Sequence, residues 1–189
     1  MALADPFAAV PKWGMALLLV GGVAIFCWAG RKMKPENAPV GQLPPPTQVS
    51  LEFAGTPKGV ATLLAAWTEP QKSALRRGIS FDFLFILGYA VPLGILVSLL
   101  SRHLGRSWPV LGAWGAAIAW AQLVAGGLDV IENVLLLAIL RGSLVPLWPP
   151  LAFAVAGIKF VLVGLGILWI VVCAAIALAL FLGWHSAAA

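Results

Sequence analysis

The chain has 189 residues, of which 61% are hydrophobic and only 10% charged, with a formal charge of +5. Soluble domains carry about 25% charged residues, so a soluble globular fold is excluded and an integral membrane protein, one small bundle, is expected. The basic excess would suggest nucleic acid in a soluble protein; here Lys and Arg cluster at the ends of apolar runs, where they act as topology signals and lipid-headgroup contacts, and no nucleic-acid partner is expected.

The first apolar run, residues 13–30, reads as a membrane helix with Trp13 and Trp28 near its ends. It stops at Arg31-Lys32-Met33-Lys34, a stop-transfer pattern rather than a signal-peptide cleavage site. Residues 35–49 are proline-rich and read as an extended, solvated linker. Thr56-Pro57 then supplies an N-cap with proline at the first helical position, followed by Val60, Leu63, Leu64 and Trp67 at helical spacing. Thr68-Glu69-Pro70-Gln71 repeats the start signal, ahead of Lys72, Arg76 and Arg77. Each of these segments is too short to span a bilayer, so 56–78 is expected to form amphipathic helices at the interface.

A second membrane helix is expected over 79–100, with Asp82 and Tyr89 seven residues apart on one face and Pro92 inside. The third and fourth are expected over 109–140 and 150–183, each about 32 residues where about 20 would span. They must tilt, bend at Gly126-Gly127 or project. Small residues four apart, such as Ala90/Gly94 and Gly115/Ala119, mark close helix contacts. The fold class is therefore all-α: a polytopic four-helix membrane bundle with interfacial helices between helices 1 and 2. The cysteines Cys27 and Cys173 differ too much in depth to bridge, and His103 and His185 form no metal or haem set. No cofactor or metal is expected.

The chemistry concentrates in one stretch of the third helix. Asp129, Glu132 and Asn133 stand at i, i+3 and i+4 and share a face, with Gln122 two turns earlier. An ionisable side chain there costs ~2.5–3.5 kcal/mol on insertion scales and needs a partner. Counting from the hairpin at 141–148 brings Lys159, the one charge of the fourth helix, level with Asp129 and Glu132. Asp82 lies on the same side. The expectation is a polar chamber among helices two to four, partly roofed by 51–78. The alternative is an ion-pair network that only fixes helix register. Three acids against one lysine leave room for a retained proton, a cation or a cationic ligand.

Arg31, Lys32, Lys34, Arg76, Arg77 and Arg141 flank helices on the loop side, against Lys12, Arg102 and Arg106 opposite. That asymmetry predicts a cytoplasmic 31–78 loop with both termini outside. Leu51-Glu52-Phe53-Ala54-Gly55-Thr56, Trp67, Asp82-Phe83-Leu84-Phe85 with Tyr89, and Asp129-Val130-Ile131-Glu132-Asn133 together resemble a loosely defined group of small bacterial four-helix membrane proteins without assigned function. The resemblance implies that Glu52, Trp67, Asp82, Tyr89, Asp129, Glu132 and Asn133 belong to one constellation, and it brings no activity.

Three function classes follow. The first is an accessory or scaffold membrane protein, working with a membrane-protein partner or as a homo-oligomer. The second is a binder or transporter of a small amphiphile or cation. The third is a membrane enzyme using the carboxylates as acid and base on a lipid or isoprenoid. Serine-triad, zincin, P-loop and dinucleotide motifs are absent from the sequence.

Overall fold

The computed structural model describes residues 3–33, 46–143 and 145–183. Among them, every regular element is a helix: α1 Lys12–Lys32, α2 Gln48–Glu52, α3 Pro57–Ala66, α4 Glu69–Leu104, α5 Pro109–Leu140 and α6 Trp148–Phe181. Four of these, α1, α4, α5 and α6, are long and apolar enough to cross a membrane. Their outward faces carry large apolar side chains, such as Leu17, Val20, Val161 and Leu168, each more than half exposed. Soluble monomers rarely expose large apolar side chains on this scale.

The second expected interfacial helix does not exist as a separate element. Residues 69–78 are the first turns of α4, which runs unbroken for 36 residues. The start signal is real: Thr68 Oγ1 accepts from the Gln71 N–H, and the Gln71 side chain accepts from the Thr68 N–H, a reciprocal capping box. What the sequence does not contain is a stop. Leu75 and Ile79 are one turn apart, both buried in one apolar cluster with Leu136, Ile139 and Leu140 of α5, so the buried face carries straight through Gly78. Arg76 secures this extension by donating from Nη1 to the Leu140 carbonyl at 2.9 Å, one of the orphan acceptors at the end of α5.

A second correction concerns the proline-rich linker. Residues 35–45 lie outside the described residues, but the stretch does not stay extended to 49. Thr47 caps α2, its hydroxyl accepting from the Ser50 N–H at 3.2 Å. Leu51 anchors this short helix in the same apolar cluster. Gly55, with φ +66°, turns the chain out of α2 and into α3, which starts at Thr56-Pro57 as its signal predicts.

The long helices pack through small residues. A Cβ on Gly126 of α5 would stand 2.9 Å from Ala90 Cβ, and one on Gly88 of α4 only 2.6 Å from the Phe26 backbone nitrogen of α1. Close backbone approach at both crossings is what lets α4 sit between α1 and α5. α5 stays helical through Gly126-Gly127. Just past its end at Leu140, Gly142 with φ +89° makes a left-handed turn that lets Gly142 and Ser143 donate back to Ile139 and Ala138. α6 then returns antiparallel against α5 and α4. At about 1.5 Å per residue α4, α5 and α6 are each close to 50 Å long, well beyond a ~30 Å hydrocarbon core.

Candidate functional site: a charged cluster at the end of an apolar cavity

Four helices each bring polar side chains to one place. On α5, Asp129, Glu132 and Asn133 keep the common face their spacing predicts, and all three are buried. On α6, Lys159 is 5% exposed. Its Nζ donates to Asp129 Oδ1 at 2.9 Å, lies 2.8 Å from Glu132 Oε2 and 3.9 Å from Glu52 Oε1. The Glu132 contact is an ion pair outside hydrogen-bond angles, which leaves both Glu132 carboxyl oxygens without a hydrogen-bond donor. From α4, Tyr89 donates its O–H to Asp129 Oδ2 at 2.7 Å.

Asp82, one helix face and two turns before Tyr89, belongs to a neighbouring network of amides. Its Oδ2 accepts from Asn133 Nδ2 at 2.9 Å and from Gln48 Nε2 at 2.8 Å. Gln48 Nε2 also lies 3.0 Å from Asn133 Oδ1. The constellation therefore includes a residue the sequence reading assigned to the linker. Gln48 and Glu52 are four apart on α2 and face the cluster together because Thr47 fixes the helix start. A capping threonine followed by polar residues at i and i+4, with apolar Leu51 beside them, was the available signal.

Two expected members lie elsewhere. Trp67 is buried in the apolar cluster of Val60, Leu63, Leu75, Ile79 and the end of α5. Gln122 sits two turns along α5 from Asp129 and ties α5 to α6, its Nε2 donating to the Leu162 carbonyl at 2.9 Å. Gly166 leaves the space for it: a Cβ there would collide with the Gln122 amide. The roof also differs from expectation. It is α2 that reaches over the cluster, while α3 covers apolar core.

The cluster closes one end of a cavity of about 500 Å³, within the ~300–1,000 Å³ range of small-molecule sites. The polar end is formed by Gln48, Glu52, Asp82, Tyr89, Asp129 and Lys159, and the remaining walls by apolar and aromatic side chains of α1, α4 and α6. Phe26 of α1 and Phe160 and Ile167 of α6 line it while remaining 40%, 47% and 50% exposed. They mark its mouth, which opens sideways between α1 and α6.

Formally, four carboxyl groups (Glu52, Asp82, Asp129, Glu132) surround one ammonium. Burying charges is costly, and a buried pair offsets that cost only when the geometry is good and the remaining lone pairs are satisfied. Here Asp129 is well served, whereas Glu52 Oε2 and the Glu132 oxygens accept no hydrogen bond. No grouping of His, Cys, Asp and Glu suited to a metal ion occurs among the described residues. Comparison with known proteins finds no family model, no curated protein and no solved structure that matches this chain.

Proposed function

We propose that this is a multi-pass membrane protein that binds a small amphiphile, admitted from the bilayer through the cleft between α1 and α6. The observation that carries the reading is the cavity itself: apolar walls, a mouth on the side of two candidate spans, and a polar end built from four helices. An ion-pair network that served only to set helix register would be best fully packed. This one borders about 500 Å³ of open space and leaves the buried Glu52 Oε2 without a donor. The partner is the lipid bilayer in the first instance. Transport across it would require an oligomer, because four helices leave little room for a path.

The same reading places α3 at the membrane interface, groups the chain with the small bacterial four-helix proteins it resembles, and puts the cavity in the cytoplasmic half of a bacterial inner membrane. The support for sidedness is the excess of Arg31, Lys32, Arg76, Arg77 and Arg141 at one end of the bundle over Lys12, Arg102 and Arg106 at the other. A periplasmic reporter fused after Ala189 should be active; an active cytoplasmic reporter there inverts the topology.

Native mass spectrometry of protein released gently from its membrane tests the binding reading. Wild type should retain an amphiphile. Val163→Trp, which fills the cavity from α6, should lose it while melting like wild type. A wild type that stays bare after lipid is added back, or an adduct indifferent to Val163→Trp, overturns the proposal.

A further inference from the structure

We propose that the headgroup taken at the polar end is an organic cation, an ammonium, and that the Asp82 carboxylate receives it. This rests on the amphiphile-binding reading above and names the chemistry of the ligand.

The argument begins with what each carboxyl already has. Lys159 is shared among Asp129, Glu132 and Glu52, and Asp129 also holds the Tyr89 hydroxyl. Asp82 is 3% exposed and lines the cavity, yet among the described residues its hydrogen-bond donors are two neutral amides, both on Oδ2. No ammonium or guanidinium among the described residues stands within ion-pair distance of it. A buried carboxylate without a cation is among the costlier arrangements in a protein interior. The amides fix its orientation and bring it no full charge; the nearest help is the Lys159 ammonium acting from beyond ion-pair distance.

A second carboxyl lines the same cavity. Glu52 is 2% exposed and lines the cavity, and its Oε2 accepts no hydrogen bond. The cavity thus ends on two carboxyl groups, of which Glu52 already has the Lys159 ammonium at 3.9 Å and Asp82 has amides.

The walls beside them are aromatic. Phe26 and Phe85 stack with centroids 4.3 Å apart, Tyr89 follows at 6.0 Å from Phe85, and Phe160 closes the far side. Ring faces attract cations, and do so more strongly where water is excluded; aromatic walls around a carboxylate are a recurrent way to hold substituted ammonium groups. Phe160 already presents its ring to one ammonium, with Lys159 Nζ 4.8 Å from the centroid.

The alternatives fit less well. An anionic headgroup would meet four carboxyls and find the one ammonium already engaged. A bare metal ion would want several oxygen or nitrogen ligands converging, whereas the companions of Asp82 are the donor ends of amides, which repel a metal. A neutral headgroup would make no use of the Asp82 charge.

The test uses full-length protein in nanodiscs of zwitterionic lipid and three probes with one tail: dodecyltrimethylammonium, dodecanol and dodecyl sulfate. Retention is read by native mass spectrometry. The ammonium should be retained about tenfold more tightly than the alcohol, the difference expected of a hydrogen-bonded or paired charge over a neutral group, and the sulfate least. Asp82→Asn should remove about tenfold from the ammonium and leave the alcohol unchanged. Phe160→Leu, at a half-exposed position, should also weaken the ammonium selectively. Should Asp82→Asn fail to fold, the order of the three probes on wild type decides. Alcohol and ammonium retained equally, or sulfate retained best, overturns the cationic headgroup and leaves the amphiphile site standing. Retention of none of the three overturns the amphiphile site itself.

Discussion

Apart from the pairs that the exposed Glu69 makes with Lys72 and Arg76, two ion-paired clusters among the described residues stand toward opposite ends of the bundle. At one end, Asp5 of the N-terminal segment meets Arg102 at the end of α4. Its carboxylate also accepts from the Phe7 N–H at 2.8 Å and from Ser98 Oγ at 3.0 Å. One acid meets one base, three donors converge on two oxygens, and Phe7 packs beneath them with Met15 and Ile95. At the other end, three carboxyls share Lys159, the Asp82 carboxyl stands beside them held by amides, and a cavity opens next to the group. The elementary interaction is the same. The first cluster is balanced in charge and nearly complete in hydrogen bonds, with only Arg102 Nη2 left over; it is a clasp that holds the N-terminal segment on the bundle. The second is unbalanced, incomplete and next to open space. Charge balance and satisfaction, rather than the mere presence of a buried ion pair, separate a structural contact from a candidate binding site.

The largest effect expected from breaking this contrast is at Lys159. Lys159→Met removes the ammonium and leaves Glu52, Asp129 and Glu132 facing one another, at a cost of about 3–5 kcal/mol. Unfolding in neutral micelles should show it. Adding Asp129→Asn should recover a good part of the loss, because the uncompensated charge, not the missing contact, dominates the cost. A double variant as unstable as the single one contradicts this account of the cluster.

Two glycines sharpen the contrast at a smaller scale. Gly88 lines the cavity and lets α1 approach α4. Gly115, toward the far end, leaves space for the Ser101 side chain, whose hydroxyl accepts from the Trp169 indole at 2.8 Å. Alanine at either site overpacks a helix contact and should cost about 1–3 kcal/mol. Only Gly88→Ala should also lower retention of a bound amphiphile. Equal loss of retention in both variants means that the effect is general loosening, and the cavity loses its special place.

Much of this arrangement was legible before any coordinates. Rigid helices with a fixed rise make depth countable, and the short 141–148 connection makes α5 and α6 antiparallel neighbours. The count from that hairpin therefore put Lys159 beside Asp129 and Glu132, where it lies. The three-and-four spacing on α5 put Glu132 and Asn133 on the face of Asp129. The harder parts were local. A five-residue helix is too short to show a period, so α2 does not stand out behind its prolines and Gln48 reads as linker. The change from the basic stretch 72–77 to the apolar run from Ile79 reads as a boundary, and Gly78 between them weakens a helix. Leu75 and Ile79 packing on α5 outweigh that loss. Gln122 shares the stripe of Asp129 but is two turns, about 10 Å, away, so face alone could not tell a site member from a helix–helix tie.

The smallest expected effect belongs to the balanced cluster, and it is pH-dependent. Burial raises the pKa of Asp5. Hydrogen bonds from Arg102, the Phe7 N–H and Ser98, with the Arg102 charge, outweigh burial and hold the carboxyl below its ordinary value of 3.8. A carboxyl whose folded pKa is depressed contributes stability that is fully present above the ordinary value and is lost as pH falls through the folded one. The Arg102 side chain is 37% exposed, so solvent screening keeps the contribution to at most about 1 kcal/mol. The measurement is the difference in unfolding free energy between wild type and Asp5→Asn across pH. Subtracting the variant cancels the titration of the cavity carboxyls, which both proteins share. The difference should be constant at neutral and mildly acidic pH and shrink toward zero below about pH 4. A difference that grows as the pH falls would mean that Asp5 is not held as an anion by Arg102, and the two ends of the bundle would no longer differ in the way proposed.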